Sequence, residues 1–268
     1  MPARILHVSD LHVGAQDTPS AEPDPSALGL TALVTRVAPD LVVASGDLTH
    51  GGRASEHTRA AVLLQSLGPP VLAVPGNHDI PPLSPARFRR PWAAFEAEWQ
   101  TTEPVFATAA LHVVGLNSVR PGRYQSGSVG EAPLSRAIER LDAAAPGALR
   151  VVVLHHQLAN APWRGRKQPL ARRDHVLDRL AAAGADLIVG GHTHQAAVTT
   201  PREFTAEAGA AVVLATAPGL GRPRPHRRGE TRGAMVYTAG EQELEVVTYV
   251  RGGNDWELAA RRTFPRSG

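Results

Sequence analysis

The sequence predicts an α/β fold in which two β-sheets pack face to face inside helical layers, and three observations predict it. Over the first two-thirds of the 268 residues, short apolar runs alternate with helix-length stretches, the pattern of a mixed sheet with helical connections. After His194 the character changes: strand-like runs follow one another with little helix between them. Hydrophobic residues make up 43% of the chain, enough to fill the core that such a double sheet requires.

The elements follow in order. Residues 4–8 read as a buried strand, and a Pro-rich, acidic loop follows at 16–25. Ser26 is placed to cap a helix running to Ala38. Strands are predicted at 41–44 and 71–74, with a helix at 54–67 between them. Residues 85–100 read as one helix, with Trp92, Phe95 and Trp99 spaced to face one side. A strand at 111–116, a helix at 133–145, a strand at 151–154, a helix at 170–183 and a strand at 187–189 continue the alternation. The runs 212–215, 234–238, 244–250 and 256–264 read as strands of a second, mostly antiparallel sheet. Residues 218–232 are rich in Gly, Pro and Arg and read as a mobile loop. With no internal repeat and no linker, the chain reads as a single domain over 1–268.

Composition excludes several chemistries. The absence of cysteine removes disulfides, thiolate metal sites and a cysteine nucleophile. Any metal must be held by His, Asp, Glu or Asn. A formal net charge of +3 is small for a nucleic-acid partner. Lys167 is the only lysine, and the arginine bias accompanies many Ala, Gly and Pro, so it reads as compositional rather than as a ligand signal. No signal-peptide pattern and no long apolar window is seen, so the expected location is cytoplasmic, with no membrane span.

Five short polar segments each sit where a predicted strand ends: Asp10-Leu11-His12, Gly46-Asp47, Gly76-Asn77-His78-Asp79, His155-His156 and Gly191-His192-Thr193-His194. Ligands of open α/β sheets bind at the carboxyl ends of the strands, so five such ends bring five clusters to one crevice. Any one cluster alone would read as a cap or a turn. Asp10, His12, Asp47, Asn77, His155, His192 and His194 together offer carboxylate, imidazole and amide oxygen. Seven donors exceed one tetrahedral ion and suit two, the arrangement that clamps the attacking and leaving oxygens of an in-line displacement. Such a pair needs a bridging carboxylate, and Asp47 is the candidate. These donors favour Mn, Fe, Zn, Co or Ni over calcium.

The ordered set D-x-H, G-D, G-N-H-D, a histidine and G-H-x-H resembles the calcineurin-like metallophosphoesterase family over residues 10–194. The resemblance implies a four-layer α/β/β/α sandwich. It implies that Asp10, His12 and His194 hold one metal ion, that Asn77, His155 and His192 hold the second, and that Asp47 bridges them. It further implies a hydroxide between the ions as nucleophile, His78 as the general acid over the substrate, and Asp79 as the acceptor that orients the His78 ring. One departure stands out: His155-His156-Gln157 replaces the His-His-Pro of many relatives, and His155 is taken as the ligand, with His156 lining the pocket as the alternative.

The remaining histidines, His7, His57, His112, His175 and His226, read as strand, packing or surface residues; His50, which follows the Asp47 turn, reads as part of a solvated loop, with an approach to the pocket as the alternative. Arg87, Arg89 and Arg90 read as a solvated helix face, as do Arg164, Arg166 and Lys167, although these three follow His155 closely enough to rim the site. Size and compactness are most similar to the small bacterial class III cyclic-nucleotide phosphodiesterases and their glycerophosphodiesterase relatives. The expected function is therefore phosphodiester hydrolysis on a small phosphoester substrate. The alternatives are a repair-type DNA exonuclease, disfavoured by the modest charge, and a non-catalytic scaffold of the same fold, disfavoured by the complete set of donors.

Overall fold

The computed structural model describes residues 2–14, 25–82, 84–123, 125–160, 167–203, 212–221, 231–253 and 255–266. The first sheet begins with three parallel strands, β1 (Ala3–Val8), β2 (Leu41–Ala44) and β3 (Val71–Ala73), joined by helices α1 (Pro25–Val37) and α2 (Ala54–Gln65). Helices α3 (Pro85–Arg89) and α4 (Ala93–Trp99) lead into the second sheet. That sheet is built from β4 (Val105–Ala107), β5 (Leu111–Gly115), β6 (Leu149–Val153), β7 (Leu187–Gly190), β8 (Ala197–Thr199) and β9 (Val213–Thr216), with α5 (Glu131–Asp142) and α6 (Arg173–Ala182) as crossovers. The chain then returns to the first sheet as β10 (Gly233–Ala239), β11 (Glu243–Gly252) and β12 (Asp255–Pro265).

Strand alternation sorts the side chains into layers. Ile5, Val43 and Leu72 of the first sheet meet Val113, Val151 and Val189 of the second in one buried cluster between the sheets. Their neighbours point outward: Leu6, Val42 and Ala44 pack under Leu30, Leu33, Leu64 and Phe95 of the helices. On the far side, Val114, Val152 and Ile188 pack under Leu134, Leu141, Val176 and Leu180. Both sheets are mixed and six-stranded, and both faces of their central strands are covered, so those strands read as nearly continuous apolar runs. The architecture is the four-layer α/β/β/α sandwich.

Three expectations need correction. The late strands do not form a sheet of their own. β10 pairs antiparallel with β1 (Leu6 opposite Val236) and carries β11 and β12 as an extension of the first sheet, whereas β9 pairs parallel with β7 in the second. Local periodicity marks a strand but not its partner. Second, the helix expected at 85–100 is two helices. Pro91 lacks the N–H that would continue the ladder and pushes Arg90 to φ −145°, ψ 60°, outside the helical region. Third, Arg87 does not face solvent; it is buried, and its guanidinium donates to the carbonyls of Pro121 (2.7 Å) and Pro81 (2.8 Å). The three-residue strands β4 and β8 were not foreseen, being too short to carry a period and held by their pairing with β5 and β9.

Candidate metal centre

The carboxyl ends of β1, β2 and β3 in one sheet and of β6 and β7 in the other meet at one edge of the sandwich, and each delivers one of the polar segments. The turns are tight and tied together. Asp10 N–H donates to the Gly46 carbonyl (2.9 Å), His12 N–H to the Asp47 carbonyl (3.0 Å), and Gly191 N–H to the His155 carbonyl (2.9 Å). Five of the eight non-glycine residues with positive φ among the described residues are Asp10, His12, Asp47, His192 and His194. Left-handed backbone costs a side-chain-bearing residue about 1–3 kcal/mol, so its concentration here marks strain held in place by the surrounding packing. Two glycines permit the approach of the turns. A Cβ on Gly76 would run into the Asp47 backbone, and one on Gly191 into the Ser9 hydroxyl and the Asp10 carboxylate.

The side chains fall into two groups. In the first, His194 Nε2 lies 3.1 Å from Asp10 Oδ1 and 3.3 Å from His12 Nε2, which is itself 4.0 Å from Asp10 Oδ1. In the second, His155 Nε2 lies 3.4 Å from Asp47 Oδ2, 3.2 Å from Asn77 Oδ1 and 3.2 Å from His192 Nδ1. Asp47 Oδ2 is also 3.9 Å from His12 Nε2, so one oxygen faces both groups. Donors about 2.0–2.2 Å from a shared ion stand roughly 3.0–3.4 Å from one another. Asp10 Oδ1 and Asp47 Oδ2 are fully buried without a hydrogen bond, a costly state for a carboxylate unless a cation faces it. The residues fit a pair of metal ions.

Neighbouring groups aim the donors. Asp10 Oδ2 accepts from the Ser9 hydroxyl (2.7 Å) and from His192 N–H (2.9 Å), leaving Oδ1 turned to the histidines. Asp47 Oδ1 accepts from His78 N–H (2.7 Å), leaving Oδ2 between the two groups. His155 Nδ1 donates to the Ser45 carbonyl (2.8 Å), which presents Nε2 inward. The sequence reading missed Ser9 and Ser45; the one available signal was a small polar residue at the end of each strand, next to a motif.

The electrostatics agree with a cation site. Burial raises the Asp10 and Asp47 carboxyls, but the adjacent histidines more than offset it and hold both well below the usual carboxylate range. Burial lowers His12 to about 4 and takes His192 well below its ordinary value, so both present lone pairs. At His155 burial also lowers, but the Asp47 carboxylate outweighs it and the pKa rises to about 9. A proton is stabilised there by the same negative potential that would stabilise a metal ion.

His78 and Asp79 depart from expectation. Asp79 does not orient the His78 ring. Its buried carboxylate accepts from the backbone N–H groups of Thr49 (2.8 Å), Leu48 (3.2 Å) and Gly76 (2.8 Å) and from the Thr49 hydroxyl (2.9 Å). The His78 ring, half-buried over the first group, instead donates from Nδ1 to the His50 carbonyl (2.8 Å). An acceptor next in sequence was the natural expectation, but the turn aims Asp79 inward and His78 outward. His156 is buried rather than lining the opening. Its Nδ1 bonds the Ser118 hydroxyl (2.8 Å) and its ring packs 4.6 Å from His192.

Residues counted as peripheral also come close. Lys167 donates to the His192 carbonyl, and Leu220 N–H and Gly221 N–H donate to the carbonyls of Ser9 and Asp10 (2.9 and 2.8 Å). Arg164, Arg166, His226, the 16–25 loop except for Pro25, and residues 222–230 of the loop expected at 218–232 lie outside the described residues. His7, His57 and His112 are buried packing residues, and His175 is half-buried. Among the described residues no helix is long and apolar enough to cross a membrane.

A four-layer sandwich that gathers histidines and aspartates from both sheets at one edge defines a class of binuclear-metal phosphoesterase folds, and comparison with known proteins agrees. The profile described as calcineurin-like phosphoesterase matches residues 3–196. The chain belongs to that family. It is 28% identical over 127 residues, 46% of its length, to a probable cyclic nucleotide phosphodiesterase of Synechococcus. Its fold is similar to a purple acid phosphatase of yellow lupin (TM-score 0.72, 14% identity, 99% of this chain and 54% of that one). It is also similar to a dimetal phosphatase of Danio rerio (TM-score 0.65, 17% identity, the full length of both chains). The match spans about half the length of the Synechococcus relative (47%) and of the lupin enzyme.

Proposed function

We propose that the chain is a metal-dependent phosphoric ester hydrolase, and specifically a phosphodiesterase acting on a small substrate such as a cyclic nucleotide or a glycerophosphodiester. The observation that carries this reading is Asp47 Oδ2, buried without a hydrogen bond between His12 Nε2 at 3.9 Å and His155 Nε2 at 3.4 Å. A carboxylate oxygen that faces histidines of both donor groups is the arrangement a two-ion centre needs. Asp10, His12 and His194 would hold one ion, and Asn77, His155 and His192 the other, with Asp47 common to both. When bound, the ions supply Lewis acidity, lowering the pKa of water to about 7 and neutralising charge on the phosphoryl oxygens.

The protein's own groups do the rest. The Nδ1 bond from His78 to the His50 carbonyl fixes the imidazole plane. The protonated ring then gives its Nε2 proton to the leaving oxygen, the general-acid role, and takes it back from water in the next turnover. Asp79 acts through the backbone N–H groups of Thr49 and Gly76 and the Thr49 hydroxyl, tying the Asp47 and Asn77 turns together. The preference for a diester rests on the 28% identical relative and on the compact size of the chain. The deciding assay is hydrolysis of bis(p-nitrophenyl) phosphate with added Mn²⁺. Turnover of that diester, abolished by a chelator, supports the reading; hydrolysis of p-nitrophenyl phosphate alone would reject the diesterase preference.

A further inference from the structure

His50 was expected in a solvated loop, with an approach to the pocket as the alternative, and its side chain is exposed. Its backbone, however, is held at both ends. Its N–H donates to the Val13 carbonyl (2.9 Å), and its carbonyl accepts from His78 Nδ1 (2.8 Å). The ring lies stacked on His78, with centroids 5.8 Å apart and planes 25° apart, and edge-on to His12 at 6.1 Å. Ring nitrogens of His12, His50 and His78 all fall within 4.8 Å of one another.

The three rings form a gradient from buried to open. The carboxylates of Asp10 and Asp47 are fully buried, the His12 side chain is 14% exposed, His78 is half-buried and His50 is exposed. His50 thus stands on the open side of the centre, where a substrate must enter. Among the described residues its imidazole makes ring contacts but no hydrogen bond. An imidazole carries at least one N–H at any protonation state near neutrality, so it can donate without first being protonated. With ring nitrogens of His50 and His78 within 4.8 Å of one another and the two rings stacked, one phosphoryl group is small enough to meet both imidazoles through hydrogen bonds of about 2.8 Å.

We propose that the His50 imidazole is a substrate-binding group that donates a hydrogen bond to a non-bridging phosphoryl oxygen, beside the leaving oxygen that His78 addresses. The inference rests on the phosphoesterase reading above. A third metal ion on the same three rings is the competing use. It is disfavoured because His12 is already committed to the Asp10 group and His78 Nδ1 to the His50 carbonyl.

The test is clean because His50→Ala removes the ring and leaves the carbonyl that orients His78. His50→Ala and His50→Gln are compared with the wild-type protein, each loaded with Mn²⁺. The measurements are KM and kcat for bis(p-nitrophenyl) phosphate, direct binding of inorganic phosphate by calorimetry, metal content and thermal unfolding. The expected result is a roughly tenfold rise in KM and in the phosphate Kd for His50→Ala, with kcat within about threefold and two ions retained. His50→Gln, which keeps an N–H donor, should recover part of the affinity. Unchanged KM and phosphate Kd, or a loss of metal or of folding in both variants, would overturn the assignment. A wild-type protein that binds neither Mn²⁺ nor phosphate and hydrolyses no ester would instead overturn the phosphoesterase reading itself.

Discussion

The carboxylate of Asp79 accepts the backbone N–H of Thr49 at 2.8 Å, reaching from the turn after β3 to the turn after β2. With its further bonds to Gly76 and Leu48, this one side chain ties together the two turns that carry Asp47 and Asn77.

Replacing Asp79 with Ala should therefore act first on stability. Three buried N–H groups would lose their acceptor, each at about 1–3 kcal/mol. Even at the low end the total is about 3 kcal/mol, which lowers the melting temperature by roughly 10 °C in a domain of this size. Thermal unfolding of the metal-free protein measures it; an unchanged melting temperature would show that the carboxylate does not carry these turns.

Asp47→Asn replaces the charge shared by the two donor groups. Metal content, measured by elemental analysis after gel filtration, should fall from about two ions per chain to one or fewer. Activity should drop by more than the ~10²-fold typical of losing an outer-shell partner. Two ions retained with full turnover would contradict the bridging role.

His78→Ala should separate binding from chemistry. The ring is no member of either donor group, so both ions should remain. kcat should fall by about 10²–10⁴, the range for loss of a general acid. The deficit should shrink for a diester whose leaving group is already acidic, because such a group needs little protonation. Comparing p-nitrophenyl and alkyl leaving groups provides the check.

The pH dependence of the metal-free protein follows from His155 and His7. The folded pKa of His155 is raised from 6.5 to about 9, so its contribution is full below pH 6.5 and lost as pH rises toward 9. The folded pKa of His7, buried between Tyr237 and Ser45, is lowered to about 3. Below pH 6.5 the unfolded chain takes up a proton that the folded chain refuses, and stability falls toward pH 3. Metal-free protein should thus be most stable near pH 6.5. Since ions bind deprotonated ligands, the melting-temperature gain on adding Mn²⁺ should grow as pH rises from 6.5 to 9. A gain independent of pH would mean that the ions do not displace the His155 proton.

Much of the scaffold of the site was legible from residue types alone. Asp10, His12, Asp47, Asn77, His155, His192 and His194 could be singled out because each follows an apolar strand, and a strand end is where a polar group gains access to a crevice. The break at Pro91 was equally legible, since proline's missing N–H is a local property, and it was passed over in favour of the aromatic spacing of Trp92, Phe95 and Trp99. What no local pattern contains is partnership. Which sheet β9 and β10 join depends on edges left open by strands some 30 to 230 residues away, such as Leu6 facing Val236. The direction of a side chain leaving a tight turn depends on backbone angles that only the packed turns enforce. That is why Asp79 bonds the backbone rather than the His78 ring, and why His50, whose approach to the pocket the sequence left only as an alternative, stacks on His78 beside His12. Residue chemistry determined what could bind; the crossing of two sheets decided which atoms face each other.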